Sequence, residues 1–281
     1  MTVAPASPLW TCAREALALA VRSRQLQIFA VVFGALALLV AASGYVLTGG
    51  TGLQDFSRTA AALVELVLLV VPLAALVIGV TALTPDAGSA ELLYSQPIAR
   101  HAVMLGRLLG VFLALVAAET IGFGAAGLVL FWRTGDAGAG GFLAVVVAAM
   151  ALTAVFLSVA AAISGGATSQ RRARILSAAL GIWFAAVVLF DVAALGLASW
   201  LPSGPASRVL MTAAVVNPVD AIRTATLLAL EGTTAFGAAS LAFLRFTSGT
   251  IGAAVWLAAS VLFWIVAPLA LGARRLARAD L

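Results

Sequence analysis

The chain has 281 residues, 63% of them hydrophobic and 10% charged, with a net charge of +5 and a mean hydropathy of +1.14. Water-soluble domains run at about 45–50% apolar and 25% charged, so one soluble core is excluded. The 16 basic residues are all arginine, and they fall mostly on one side of the apolar runs, which points to membrane orientation rather than to nucleic acid. With no lysine there is no G-x-x-x-x-G-K-[ST] phosphate loop and no lysine Schiff base, so the chain does not hydrolyse ATP by itself.

Residues 1–8 read as a disordered tail. In residues 9–24, Leu9, Ala13, Leu17, Ala20 and Val21 fall near helical spacing, while Arg14, Arg22 and Arg24 face water or lipid phosphate. This predicts an amphipathic helix on the membrane surface; the alternative is a first span that starts early. Six runs then reach the roughly 20 apolar residues needed to cross a bilayer: 26–47, 59–83, 105–132, 141–163, 175–200 and 249–271. They are continuously apolar, so they predict helices rather than alternating barrel strands. The first run, about 22 residues, exceeds a signal-peptide core of about 7–15 and is expected to stay in place. The fold class is therefore an all-α integral membrane protein of one six-helix domain.

Orientation follows from the arginines. With the N-terminus inside, Arg14, Arg22, Arg24, Arg100, Arg107, Arg171, Arg172, Arg174, Arg274, Arg275 and Arg278 lie on the inner face. Arg58, Arg133, Arg208, Arg223 and Arg245 lie outside. That excess places both termini in the cytoplasm. Cys12 is the single cysteine, so no internal disulfide forms. With His101 the single histidine, the chain holds no Cys/His zinc site and no bis-histidine haem.

Between the first two spans, Gly49-Gly50-Thr51-Gly52 predicts a flexible turn. Pro72 should kink the second span. Residues 84–101 form a polar island between two apolar runs, with Asp86, Glu91, Gln96, Arg100 and His101 close together. Its expected use is to present a surface to a soluble partner. Gly106 and Gly110 make a small-xxx-small pair that admits a second helix closely. The 165–174 loop carries Arg171, Arg172 and Arg174, which either anchor topology or bind a partner. In the extracytoplasmic segment 201–248, Asn217-Pro218-Val219-Asp220 is a helix start: Asn217 caps, Pro218 suits the first position and Asp220 meets the positive dipole end. Gly232 should end that helix.

Three acids lie inside spans: Glu65, Glu119 and Asp191. At about 1.5 Å per residue, Glu65 sits about 9 Å below the outer start of its span. Glu119 and Asp191 sit about 21 and 24 Å up from the inner ends of theirs. All three fall in the outer half, where carboxyl groups are costly. They form either an outward polar vestibule for a cation or polar cargo, or separate hydrogen-bonded acids that hold helices together. Arg58 or Arg133 would be within reach as partners.

The run Gly88-Ser89-Ala90-Glu91-Leu92-Leu93, followed by Ser95-Gln96-Pro97-Ile98-Ala99-Arg100 and Leu105-Gly106-Arg107-Leu108-Leu109-Gly110, resembles the G-T-x-E-x-L-L-x-x-P-x-x-R…L-G-K segment of ABC-2 permeases. Leu180-Gly181-Ile182-Trp183-Phe184, Val188-Leu189-Phe190-Asp191 and Asn217–Arg223 resemble the NosY-type branch, which serves maturation of the copper enzyme nitrous oxide reductase. Ser89 stands where the family has threonine, and Arg107 where it has lysine. The resemblance implies a type V-like ABC-2 fold in a bacterial inner membrane, acting as a homodimer, each copy paired with a cytoplasmic NosF-like ABC ATPase that binds ATP and magnesium. It implies a NosD-like periplasmic β-helix partner met by Asn217, Pro218, Asp220 and Arg223. It also implies a coupling helix at residues 87–95, with Asp86, Gly88, Ser89, Glu91, Leu92, Gln96, Pro97 and Arg100 as its contacts, and no catalysis or cofactor in this chain. A general ABC-2 exporter of a lipid, antibiotic or hydrophobic solute is the alternative within the class. An ATP-independent carrier or channel is the alternative outside it.

Overall fold

The computed structural model describes residues 8–46, 53–85, 88, 98–134, 139–232 and 238–279. Among these the chain is helical throughout. Helix α1 spans Pro8–Arg22 and α2 spans Arg24–Val46. Ser23 divides them: its hydroxyl donates to the Ala20 carbonyl at 2.7 Å and accepts from the Leu26 amide at 3.3 Å, ending one helix and capping the next. Helices α3 (Leu53–Leu83), α4 (Arg100–Thr134) and α5 (Ala139–Ser164) follow. The fifth span is composite. A short 3₁₀ turn (Ser169–Arg171) enters α6 (Arg172–Phe184), a π-helical stretch (Ala185–Leu189) interrupts it, and α7 (Phe190–Ser199) completes it. Helices α8 (Ser203–Val216), α9 (Pro218–Glu231) and α10 (Ala238–Phe246) precede α11 (Thr250–Ala277), the last span. Among the described residues, six helices are long and apolar enough to cross a membrane.

The second, third and fourth spans form the centre, with half or more of each apolar window buried, whereas the fifth and sixth bury 11% each. Phe33, Phe123, Phe156, Leu63, Leu115 and Leu152 fill the core. Phe33 meets Phe123 edge to face at 5.2 Å and stacks on Phe29 at 5.4 Å. Lipid is as apolar as leucine, so close van der Waals fit rather than escape from water holds these spans together.

Two glycine contacts fix how the helices meet. A Cβ at Gly106 would stand 2.6 Å from the Cys12 Cβ, and one at Gly110 would stand 2.7 Å from the Ala16 Cβ. The small-xxx-small pair is therefore the seat of α1, whose Cys12, Ala13, Ala16 and Ala20 are buried. Trp10 and Leu19 stay exposed on its other side, the arrangement expected of a helix at a membrane surface. At the ends of α5 and α11, a Cβ on Gly165 would lie 2.6 Å from the Gly272 carbonyl, so those helices run the same way and finish together.

The start of α1 and the end of α11 consequently lie at one end of the molecule, which is the arginine-rich end. Starting there, the fifth span ends at the opposite side, and α11 begins at that side. Helices α8 and α9 must leave and return on the same side. They join at a 98° bend, and a chain that leaves and returns on one side does not make a single crossing there. Helix α9 packs on α3, α5 and α11. Part of the 201–248 segment, α9, thus packs on the spans.

Candidate functional site

The start of α9 forms as its sequence suggests. The Asn217 side chain accepts from the Val219 amide at 3.3 Å, and Pro218 occupies the first turn. Gly232, at φ 60°, closes the helix. Asn217 does more than cap. Its amide donates to the Asp220 carboxylate at 2.9 Å and to the Ala186 carbonyl at 2.8 Å. Ala186 lies in the π-helical stretch, where the changed backbone register leaves a carbonyl for an outside donor. That stretch also sets the direction of Asp191, two residues beyond it.

One arginine gathers the acids. Arg223 meets Glu65 at 2.6 Å and Asp191 at 3.6 Å, and Asp220 lies close to Asp191. Glu65 on α3 and Asp191 on the fifth span are therefore brought together, while Glu119 is not part of the group. Glu119 is buried on α4 and accepts from the Thr153 hydroxyl at 2.6 Å; its second oxygen has no partner among the described residues. Of the three acids, two form a cluster and one joins helices. The arginine expected at the cluster was Arg58 or Arg133, whose side chains lie outside the described residues. Arg223 takes the role instead. Sequence reasoning missed it, although its spacing of three from Asp220 on one helix face was legible.

Asn217, Pro218 and Asp220 are buried, and the polar atoms of Asn217 and Asp220 are used inside the chain. They help to build the bend. A cleft of about 450 Å³ opens beside them, lined by Asp191, Leu195, Met211, Asp220, Arg223 and Phe243 among others. One tryptophan ties the bend to a span, and another ties two spans together. Trp264 of α11 donates to the Val216 carbonyl at 2.8 Å, and Trp183 of α6 donates to the Leu69 carbonyl at 3.0 Å, beside the carbonyl that Pro72 leaves without its usual donor.

At the arginine-rich end, Asp86, Ser89, Glu91, Leu92, Gln96 and Pro97 lie outside the described residues, as does the rest of the expected coupling helix apart from Gly88, which is exposed. Its flanks are described. Arg107 donates to the Ala82 carbonyl at 3.2 Å. Arg172 donates from Nε to the Thr84 hydroxyl at 3.0 Å and from Nη2 to the Thr84 carbonyl, and the Ser169 amide donates to the Pro85 carbonyl at 3.1 Å. Arg100 donates to the Ala279 carbonyl at 2.8 Å and to that of Leu276 at 3.4 Å. Arg275 donates to the Ala162 carbonyl at 2.7 Å. Helix C-termini leave four carbonyls without intrahelical donors and carry partial negative charge, so arginine satisfies both needs. Among the described residues no group of three His, Cys, Asp or Glu is placed to hold a metal ion.

Residues 10–281 match the model of a family described as ABC-2 family transporter protein. A probable ABC transporter permease protein NosY of Pseudomonas aeruginosa is 32% identical over 269 residues, covering 94% of this chain and 95% of that one. A protein of the same description from Stutzerimonas stutzeri is 30% identical over 248 residues, covering 83% and 86%.

Proposed function

On the premise that the chain belongs to the ABC-2 family of transporter membrane proteins, we propose that it is the passive membrane half of a machine driven by a separate cytoplasmic ATPase of NosF type. The near end-to-end likeness to two relatives named as probable ABC transporter permeases carries this reading. The lack of any lysine supports it, since the phosphate loop must then come from another chain. The arginine-rich end faces the cytoplasm by the positive-inside rule, and the segment between Pro85 and Ile98 meets the ATPase there. ATP binding and hydrolysis displace that segment, and the spans carry the motion outward. A second copy completes the unit, resting on the fifth and sixth spans, which leave most of their apolar surface uncovered within one chain. The chain itself binds no cofactor.

The NosY-type resemblance extends the proposal to maturation of a copper enzyme in the periplasm, with a β-helix partner of NosD type that receives either a cargo or a mechanical signal. A second reading, export of a hydrophobic solute, draws on the mainly apolar walls of the cleft beside Arg223. The test is affinity purification of the tagged full chain co-expressed with the neighbouring ATPase. Co-purification is expected, and Glu91→Arg or deletion of residues 87–95 should abolish it without loss of membrane insertion. Retention of the ATPase by both variants would remove the coupling role of the segment.

A further inference from the structure

Resting on that coupling role, we infer that Arg172 is a positioning residue that carries displacement of the Pro85–Ile98 segment into the fifth span, and so to the polar cluster at the opposite end. The segment leaves α3 at Thr84 and Pro85, and both are fastened to the root of the fifth span. Arg172, the first residue of α6, grips the Thr84 hydroxyl and carbonyl with two nitrogens, and Ser169 holds the Pro85 carbonyl. Thr84 is fully buried, so solvent does not compete for these bonds. A planar guanidinium that binds through two nitrogens fixes direction as well as distance.

From Arg172 the helix continues through the π stretch to Asp191, a rise of about 28 Å. Its far end holds Asn217 through the Ala186 carbonyl and Arg223 through Asp191. The other flank is similar. Arg100 sits on the carbonyls that end α11, and Trp264 of α11 grips Val216 at the 98° bend. Both flanks of the segment thus reach the same bend, each along one helix. Within one chain these helices belong to the two least buried spans and, in the proposed pair, they face the second copy, whereas α3, α4 and α5 form the core.

Spatial continuity by itself does not show coupling, so the test measures it. In a Cys12→Ala background, Gly140→Cys and Gly204→Cys place spin labels on the core and on α8; a Cβ at either site meets nothing within 4 Å. Distances are read by pulsed electron resonance on the complex with its ATPase in lipid nanodiscs, before and after ATP with vanadate. The parent should show a nucleotide-driven shift. Arg172→Gln should reduce the shifted population ratio about tenfold, with the ATPase still bound and hydrolysing. Thr84→Val, a mild change that keeps the carbonyl, should reduce it less, and Arg172→Lys should not restore it. A purely structural arginine would instead lower ATPase binding and thermal stability together and leave the shift of the folded fraction intact. Parent-like shifts in all three variants, or no shift in a parent that retains its ATPase, overturn the inference. A parent that retains no ATPase overturns the coupling reading itself and is recognised before any variant is made.

Discussion

The two ends of this bundle use arginine in opposite ways. At one end Arg100, Arg107, Arg172 and Arg275 are spread over three helix termini, where they satisfy backbone carbonyls. At the other, Arg223 stands, alone among the described arginines, with Glu65, Asp191 and Asp220. The first arrangement answers a need that every helix has, and its members share few partners. The second answers a need created by side chains within the apolar layer, where a carboxyl left alone is costly. Dispersed caps should behave independently, and a shared counterion should not.

The largest expected effect tests that contrast at the crowded end. Arg223→Ala leaves Glu65, Asp191 and Asp220 without their cation and should destabilise the folded chain by about 2–3 kcal/mol, read by thermal unfolding in detergent. Combined with Glu65→Ala, the loss should fall short of the sum by about 1 kcal/mol or more. A strictly additive pair would show that the cluster is not one unit. Next come the caps. Arg107→Gln and Arg275→Gln should each cost about 1 kcal/mol, and the double variant should match their sum within about 0.5 kcal/mol. Strong coupling between them would make the arginine-rich end a network as well.

A smaller effect concerns α1, which belongs to neither scheme and is seated by glycine instead. Gly110→Leu should lift it and raise the rate at which a maleimide labels Cys12 by about tenfold, equivalent to about 1.4 kcal/mol less protection. Unchanged labelling would mean that the Gly106 and Gly110 contact does not hold the helix. In the parent the reaction should be slow from either side. Cys12 is buried, and burial followed by the Glu15 carboxylate pushes its thiol above the ordinary cysteine value. Labelling should therefore quicken as pH rises past neutrality, because the thiolate is the reactive form. Cys12 is for that reason a poor reporter of sidedness. Arg174→Cys and Gly204→Cys, both exposed, report it better in a Cys12→Ala chain. An impermeant reagent on intact cells should reach Gly204→Cys and not Arg174→Cys, and the reverse would invert the orientation.

Much of this was legible in the sequence because it depends on local composition. Span number follows from the length of apolar runs against bilayer thickness. The cap at Asn217 and the stop at Gly232 follow from backbone preferences within a few residues. The seat of α1 was half legible: the glycine pair announced a close contact but not which helix would make it.

What composition could not decide is how distant segments meet. Glu65 and Arg223 are separated by 158 positions, yet they form the tightest ion pair of the outer cluster. Glu119, at a similar estimated depth, turns to Thr153 instead, because depth along a helix says nothing about which face looks inward. The bend between Val216 and Pro218 likewise depends on tertiary partners. Asn217 is kept there by a carbonyl of the π stretch and Val216 by Trp264, each from another helix. Sequence by itself determined the number of spans and the type and ends of several helices, since those depend on neighbours in the chain. Tertiary structure decided which acids share a cation and which arginines close which helix, since those choices rest on packing faces that no local pattern encodes.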